Sequence, residues 1–178
     1  GQAVSRRAPA TPLHGLAPVA RPVGSPLPAA DGIHRVPRGL PQTPMGWEVQ
    51  PEGLTRLLRR LQEEYTGPAG VALAVTETGA AYDDVVGPDG RVDDPERRAF
   101  LDAHVRAVAA AVAAGADVRA FFVWSLLDNF EWTWGYTRRF GIVHVDFATQ
   151  RRTVKASGEW YAQVAARNGL PWEERSSR

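Results

Sequence analysis

The sequence predicts an α/β protein with parallel strands covered by helices, and three stretches carry that prediction. Val71-Ala72-Leu73-Ala74-Val75-Thr76, within a strand expected over 70–76, is apolar on both faces, as parallel strands flanked by helices are. Phe121-Phe122-Val123-Trp124, closing a strand expected over 119–124, has the same character. Between them lies one amphipathic helical stretch. Strand, helix and strand at this spacing make a βαβ unit, whose crossover is right-handed.

Taken in order, residues 1–44 hold nine of the chain's 14 prolines, with Gly, Ala and scattered Arg. Proline fixes φ and removes a donor, so an irregular Pro/Gly-rich segment is expected there, disordered or draped over the body. His14 and His34 lie in it without ligand-type neighbours and read as solvent-exposed. Met45-Gly46-Trp47-Glu48-Val49 reads as a short ordered knot. A helix is expected over 52–65, because Leu54, Leu57, Leu58, Leu61 and Tyr65 share one stripe, with Gly67-Pro68 as its stop. Gly79 to Asp93 reads as a long surface loop with a turn at Gly87-Pro88-Asp89-Gly90.

The second helix opens with Asp94 as cap, Pro95 at the first helical position and Glu96 at the positive dipole end. Its apolar face is Phe100, Leu101, His104, Val105, Val108 and Val112, and Gly115 ends it. His104 on that face reads as a hydrogen-bonded core histidine. Beyond the second strand, Arg139 to Phe147 alternates as a short hairpin or edge strand does. A last helix over 155–167 turns Trp160, Tyr161, Val164 and Ala165 toward a core, and 171–178 is a charged tail.

Composition narrows the function. In 178 residues, 21 basic and 20 acidic side chains nearly cancel, which speaks against nucleic acid or an anionic membrane as the main partner. There is no cysteine, hence no disulfide framework, thiol nucleophile or thiolate metal site, and no cofactor is indicated. No window approaches the ~20 apolar residues of a membrane span, and the first thirty residues carry no signal-type apolar region, so a cytoplasmic protein is the default expectation. The chain starts at Gly1 and its one methionine is Met45, as expected of the tail of something longer or a processed product.

The chemistry gathers at the strand ends, where parallel α/β proteins place their ligand sites. Glu77 follows the first strand and Trp124 ends the second. Neighbouring strands lie about 5 Å apart, so both side chains reach one small ligand. Glu131 and Trp132 stand a few residues on. An indole face stacks on the C–H face of a pyranose, carboxylate oxygens accept paired sugar hydroxyls, and a carboxylate on the anomeric side can attack as a nucleophile. Taken singly, Glu77 also suits a salt-bridged surface residue, Trp124 a core residue, and Glu131-Trp132 an ordinary loop pair. Together they describe a carbohydrate site.

The run Trp124-Ser125-Leu126-Leu127-Asp128-Asn129-Phe130-Glu131-Trp132, with Gly135-Tyr136 and Arg139-Phe140-Gly141, resembles family 1 glycoside hydrolases, the β-glucosidases. Thr76-Glu77-Thr78-Gly79 is similar to that family's Thr-Glu-Asn-Gly nucleophile motif. Met45 to Val49, Pro51-Glu52-Gly53-Leu54 and Arg152-Thr153-Val154-Lys155-Ala156-Ser157 match further family segments in the same order.

The resemblance implies a (β/α)8 TIM barrel, of which this chain supplies the C-terminal part, about strands seven and eight. It implies retaining hydrolysis of terminal β-D-glucosyl residues, with Glu77 as nucleophile and Trp124 as the platform under the ring. Glu131 would accept from the 4- and 6-hydroxyls, Trp132 would reach the 3-hydroxyl, and Phe140 would wall the 6-position. The implied partners are a β-glucoside or short β-linked oligosaccharide and the missing N-terminal part of the barrel.

Two departures stand out. Thr78 replaces the family's Asn, and no Asn-Glu-Pro motif supplies the acid/base glutamate. Retaining hydrolysis needs two carboxyls ~5 Å apart, so the isolated chain is expected to be inactive. The alternative reading is a non-catalytic sugar-binding or structural remnant of such a barrel. With two or three strands the barrel cannot close, and exposed strand edges and apolar faces are expected.

Overall fold

The structure is a computed structural model, describing residues 4–6, 33–35 and 38–170. The chain divides into two units, Gly1–Pro41 and Gln42–Arg178. In the first, β1 (Val4–Arg6) and β2 (Ile33–Arg35) pair antiparallel, with Val4 opposite Arg35 and Arg6 opposite Ile33. The expected irregular segment therefore contains a strand pair. Val4-Ser5-Arg6 and Ile33-His34-Arg35 contain no proline, so each keeps the donors a ladder needs. The remainder of residues 1–37, His14 included, and the tail from 171 lie outside the described residues.

The second unit is built on α1 (Pro51–Leu61), a wide helical segment at Gln62–Thr66, the short turn α2 (Gly67–Ala69), β3 (Leu73–Thr78), α3 (Pro95–Ala113) and β4 (Val118–Val123). β5 (Val143–Val145), β6 (Arg152–Val154) and α4 (Ala156–Arg167) complete it. β3 and β4 pair parallel, with Val75 beside Phe121 and Thr78 beside Val123. They form a two-stranded sheet, so among the described residues no barrel closes.

The first helix runs past its expected stop. Pro68 has no N–H to give an interior helical bond. The backbone widens before it into i→i+5 spacing, with the Gly67 amide on the Gln62 carbonyl. Gly70, at φ 65°, ends the helix instead. β3 starts and ends two residues or more later than expected, which places Glu77 inside the strand's last turn of pleat rather than beyond it.

Two cores result. Leu58, Val75, Ala111 and Ala116 are buried together where α1 and α3 cover one face of the sheet. Leu101, Ile142, Trp160 and Val164 are buried where α3, α4 and the β5 strand meet. Each fully buried Leu, Val or Trp side chain contributes roughly 1.5–3 kcal/mol or more. The α3 face is largely the expected one, with Phe100, Leu101, Val105 and Val108 in or against the two cores. Arg97, Leu101, Ala107 and Ala111 are its buried residues, while Val112 is 47% exposed.

His104 donates from Nδ1 to the Phe100 carbonyl at 2.7 Å and stacks on the Phe100 ring. Burial lowers its pKa, as expected of a core histidine. The Arg139–Phe147 stretch pairs only from Val143, as a hairpin with β6. Its first half instead lies along Ser125–Leu127, through Ser125 N to the Phe140 carbonyl at 3.2 Å and Val143 N to the Leu126 carbonyl at 2.9 Å. Ala165, expected in the core, is exposed, whereas Trp160 and Val164 are buried. No helix among the described residues is long and apolar enough to cross a membrane.

Candidate active site

The carboxyl ends of β3 and β4 meet directly. The Trp124 amide donates to the Thr78 carbonyl at 2.9 Å. The approach requires glycine at the next position, because a Cβ on Gly79 would stand 1.6 Å from the Trp124 carbonyl oxygen. A cavity of about 310 Å³ opens there, lined by Trp47, Glu77, Gly79, Trp124, Glu131, Trp132 and Phe140. All five side chains singled out from the sequence line it.

Each reaches the cavity by a different route. Glu77 is carried on the end of β3. Trp124 follows β4 and is 39% exposed. Glu131 is held in a tight turn, its amide on the Gly135 carbonyl and its carbonyl accepting from Trp134 N, both at 2.7 Å. Burial pushes the Glu131 carboxyl above the ordinary glutamate value. Trp132 opens the one-turn 3-10 helix Trp132–Trp134 at φ 38°, a sparsely used region for a bulky residue, and its ring is 82% exposed. Phe140 is buried and packs at 5.9 Å, centroid to centroid, on Trp47.

Trp47 is the lining side chain that the sequence reading left unassigned. Its neighbourhood was legible as an ordered knot, and the structure shows why. Thr43 N donates to the Trp47 carbonyl at 2.8 Å and Gly46 N to the Thr43 carbonyl at 2.7 Å, closing a turn that presents the indole.

Among the lining residues, the carboxylates are Glu77 and Glu131, and neither is ion-paired with another described residue. The described residues contain no cluster of His, Cys, Asp or Glu able to hold a metal ion. The cavity has room for a small polyhydroxylated ring and is lined by three indoles, one carboxylate at a strand end and a second in the loop that follows β4.

Asp128, the remaining carboxylate of the loop, is committed elsewhere. Its side chain is fully buried, bonding Lys155 Nζ at 2.8 Å, Arg139 Nη1 at 2.6 Å and the amides of Gly141 and Val145 at 3.0 and 3.3 Å. Burial works to raise its carboxyl, but Lys155 and then Arg139 hold it below the ordinary aspartate value. Around neutral pH it is an anion with no proton to give. Asp94 is also redirected. Its side chain makes no cap on its own helix but accepts from Ser157 N at 2.8 Å and Ser157 Oγ at 2.6 Å, so it caps α4 and pairs with Arg97.

The model of the family described as Glycosyl hydrolase family 1 matches residues 28–170. Beta-glucosidase A of Thermotoga maritima is 52% identical over 135 residues, covering 76% of this chain and 30% of the relative. Thermostable beta-glucosidase B of Thermobispora bispora is 50% identical over 145 residues, covering 81% and 29%. A 6-phospho-beta-galactosidase of Lacticaseibacillus rhamnosus is 40% identical over 144 residues, covering 79% and 30%. The solved family 1 β-glucosidase of Thermotoga maritima in complex with isofagomine lactam superposes at a TM-score of 0.74 with 50% identity, covering 79% of this chain and 31% of that one.

The chain belongs to glycosyl hydrolase family 1. The likeness implies a TIM-barrel fold, of which the described residues form an open part. The chain spans about 30% of the length of the curated relatives it matches.

Proposed function

We propose that this chain is the C-terminal part of a retaining β-glucosidase, about barrel strands seven and eight, and that it carries the nucleophile and the glucose-reading side chains without the acid/base. The observation that carries the reading is the shared cavity of Glu77, Trp124, Glu131, Trp132 and Phe140. In the proposed chemistry the sugar lies on Trp124, with Glu131 and Trp132 on its hydroxyls and Phe140 beside the 6-position. A Glu77 oxygen bonds to the anomeric carbon as the glycosidic C–O bond breaks, and the departing oxygen takes the electron pair. That oxygen then needs a proton, and water must later be activated to release the sugar.

Glu131 is engaged by sugar hydroxyls and Asp128 is locked between two cations, so neither supplies that proton. The remainder of a barrel, supplying an acid/base carboxyl, is the partner this reading calls for. The family's relatives named above include a β-glucosidase and a 6-phospho-β-galactosidase. An aglycone site built outside these residues would decide the rest of the substrate.

The purified chain is expected to bind glucose weakly and to leave intact any β-glucoside, alkyl or unactivated aryl, whose leaving oxygen needs a proton. Measurable hydrolysis that disappears in Glu77→Gln would overturn the inactivity. A second reading, a sugar-binding remnant with no nucleophilic chemistry, is favoured by the two-stranded sheet, which leaves the barrel open among the described residues. It is separated by titration calorimetry with glucose combined with a test for covalent capture at Glu77.

A further inference from the structure

Beneath the cavity lies a set of charges that none of this chemistry uses. The side chains of Asp84, Arg97 and Lys155, with that of Asp128, are all 0–1% exposed, and Arg139 is 22% exposed. None of the five lines the cavity. Their contacts close on themselves. Lys155 Nζ bonds both Asp84 and Asp128. Asp128 takes the Arg139 guanidinium at 2.6 Å. The Arg139 carbonyl accepts from Arg97 Nη2 at 2.8 Å. Arg97 returns to Asp84 through two parallel bonds of 2.7 and 3.0 Å.

Every member sits on a different cavity-forming segment or on the helix start behind it. Asp84 lies seven residues after Glu77 in the loop leaving β3. Asp128 lies midway between Trp124 and Glu131. Arg139 precedes Phe140. Arg97 belongs to the first turn of α3, and Lys155 is the residue at the N-cap position of α4. Bidentate guanidinium–carboxylate pairs fix direction as well as distance, and breaking a buried ion pair on one side is strongly destabilising.

We infer that Asp84, Arg97, Asp128, Arg139 and Lys155 form one positioning ring that sets the spacing between the nucleophile's loop and the two sugar-reading segments, with Lys155 as the member that closes it. This rests on the sugar-site reading above only for what the spacing is for; the coupling of the loops stands by itself. Removing the ammonium takes one contact from Asp84 and one from Asp128 together, although they lie on different loops. A residue serving α4 alone would disturb only the helix start.

Backbone amide hydrogen exchange on the 178-residue chain tests this with Lys155→Met, using Ser157→Ala as a control that loses the Oγ bond to Asp94 outside the ring. Lys155→Met should speed exchange at least roughly tenfold in both 79–84 and 125–140, with α1 and β3 little changed. Ser157→Ala should speed exchange near α4 only. Titration with glucose on the same proteins should show weaker binding in Lys155→Met and the parental affinity in Ser157→Ala.

Exchange confined to residues near 155, raised in one loop without the other, or raised uniformly through the chain overturns the ring. If Lys155→Met does not fold, Lys155→Arg, which keeps the charge, must retain slow exchange in both loops, and its failure to do so also overturns it. Joint loosening in a chain whose parent binds no glucose upholds the ring and removes the sugar-site reading. Glucose binding by the parent with no joint loosening does the reverse.

Discussion

The cavity and the charge layer beneath it use the same residue types in opposite ways. In the buried layer three carboxylates, Asp84, Asp94 and Asp128, meet three cations, Arg97, Arg139 and Lys155, and nearly every oxygen is bonded. In the cavity two carboxylates, Glu77 and Glu131, face open space beside indole rings without a described cation. Charges that hold the fold are neutralised and desolvated. Under the proposed function, the unpaired carboxylates are the ones an approaching hydroxyl or anomeric carbon would use. The difference predicts that substitutions in the two regions separate stability from ligand handling.

The largest effect should come from Asp128→Ala, which strands Lys155 and Arg139 in the interior. Breaking a buried ionic contact on one side costs about 3–5 kcal/mol, readable as a lower urea midpoint with an unchanged slope. A loss under about 1 kcal/mol would mean that the layer is not the structural partner of the loop. Next comes Gly79→Ala, whose methyl would collide with the Trp124 carbonyl. Overpacking of this kind costs roughly 1–3 kcal/mol, and because it pushes β3's end from β4's it should weaken glucose binding as well.

Acidity gives a smaller and sign-specific effect. Asp128 is held below its unfolded value, so its stabilisation is fully present above the ordinary aspartate range and is lost as pH falls through the depressed folded value. The gap in unfolding free energy between the parent and Asp128→Asn should therefore shrink only in strong acid. Glu131 is shifted the other way, by burial. Glucose binding should begin to weaken at a pH above the ordinary glutamate value as its carboxylate takes up a proton, and Glu131→Gln should abolish that dependence. The smallest stability changes belong to Glu77→Gln and Trp132→Ala, both exposed positions, expected within about 0.5 kcal/mol while still altering what the cavity binds.

Much of the cavity was legible from the sequence because its determinants are local. Two apolar runs end in Glu77 and Trp124, and the polar aromatic loop follows within eight residues of Trp124. The parallel pairing of β3 and β4 then makes the strand ends neighbours. The charge layer was not legible because its partners are remote in sequence. Lys155 meets Asp84 71 residues away, and Ser157 meets Asp94 63 residues away. Local rules placed Asp94 as the cap of its own helix, and long-range pairing overrode that. Pro68 was read as a helix stop because an ordinary α-helix cannot accommodate it, whereas a locally widened one does.

The central claim is that the cavity holds a nucleophile but no proton donor, and leaving-group chemistry tests it most directly. A 2-deoxy-2-fluoro-β-glucoside bearing dinitrophenolate, which departs without protonation, should label the purified chain covalently on the peptide containing Glu77. Glu77→Gln should stay unlabelled, and an alkyl β-glucoside, whose leaving oxygen needs a proton, should remain intact. Glu77-dependent hydrolysis of the alkyl glucoside, or a label on any other residue, would contradict the account.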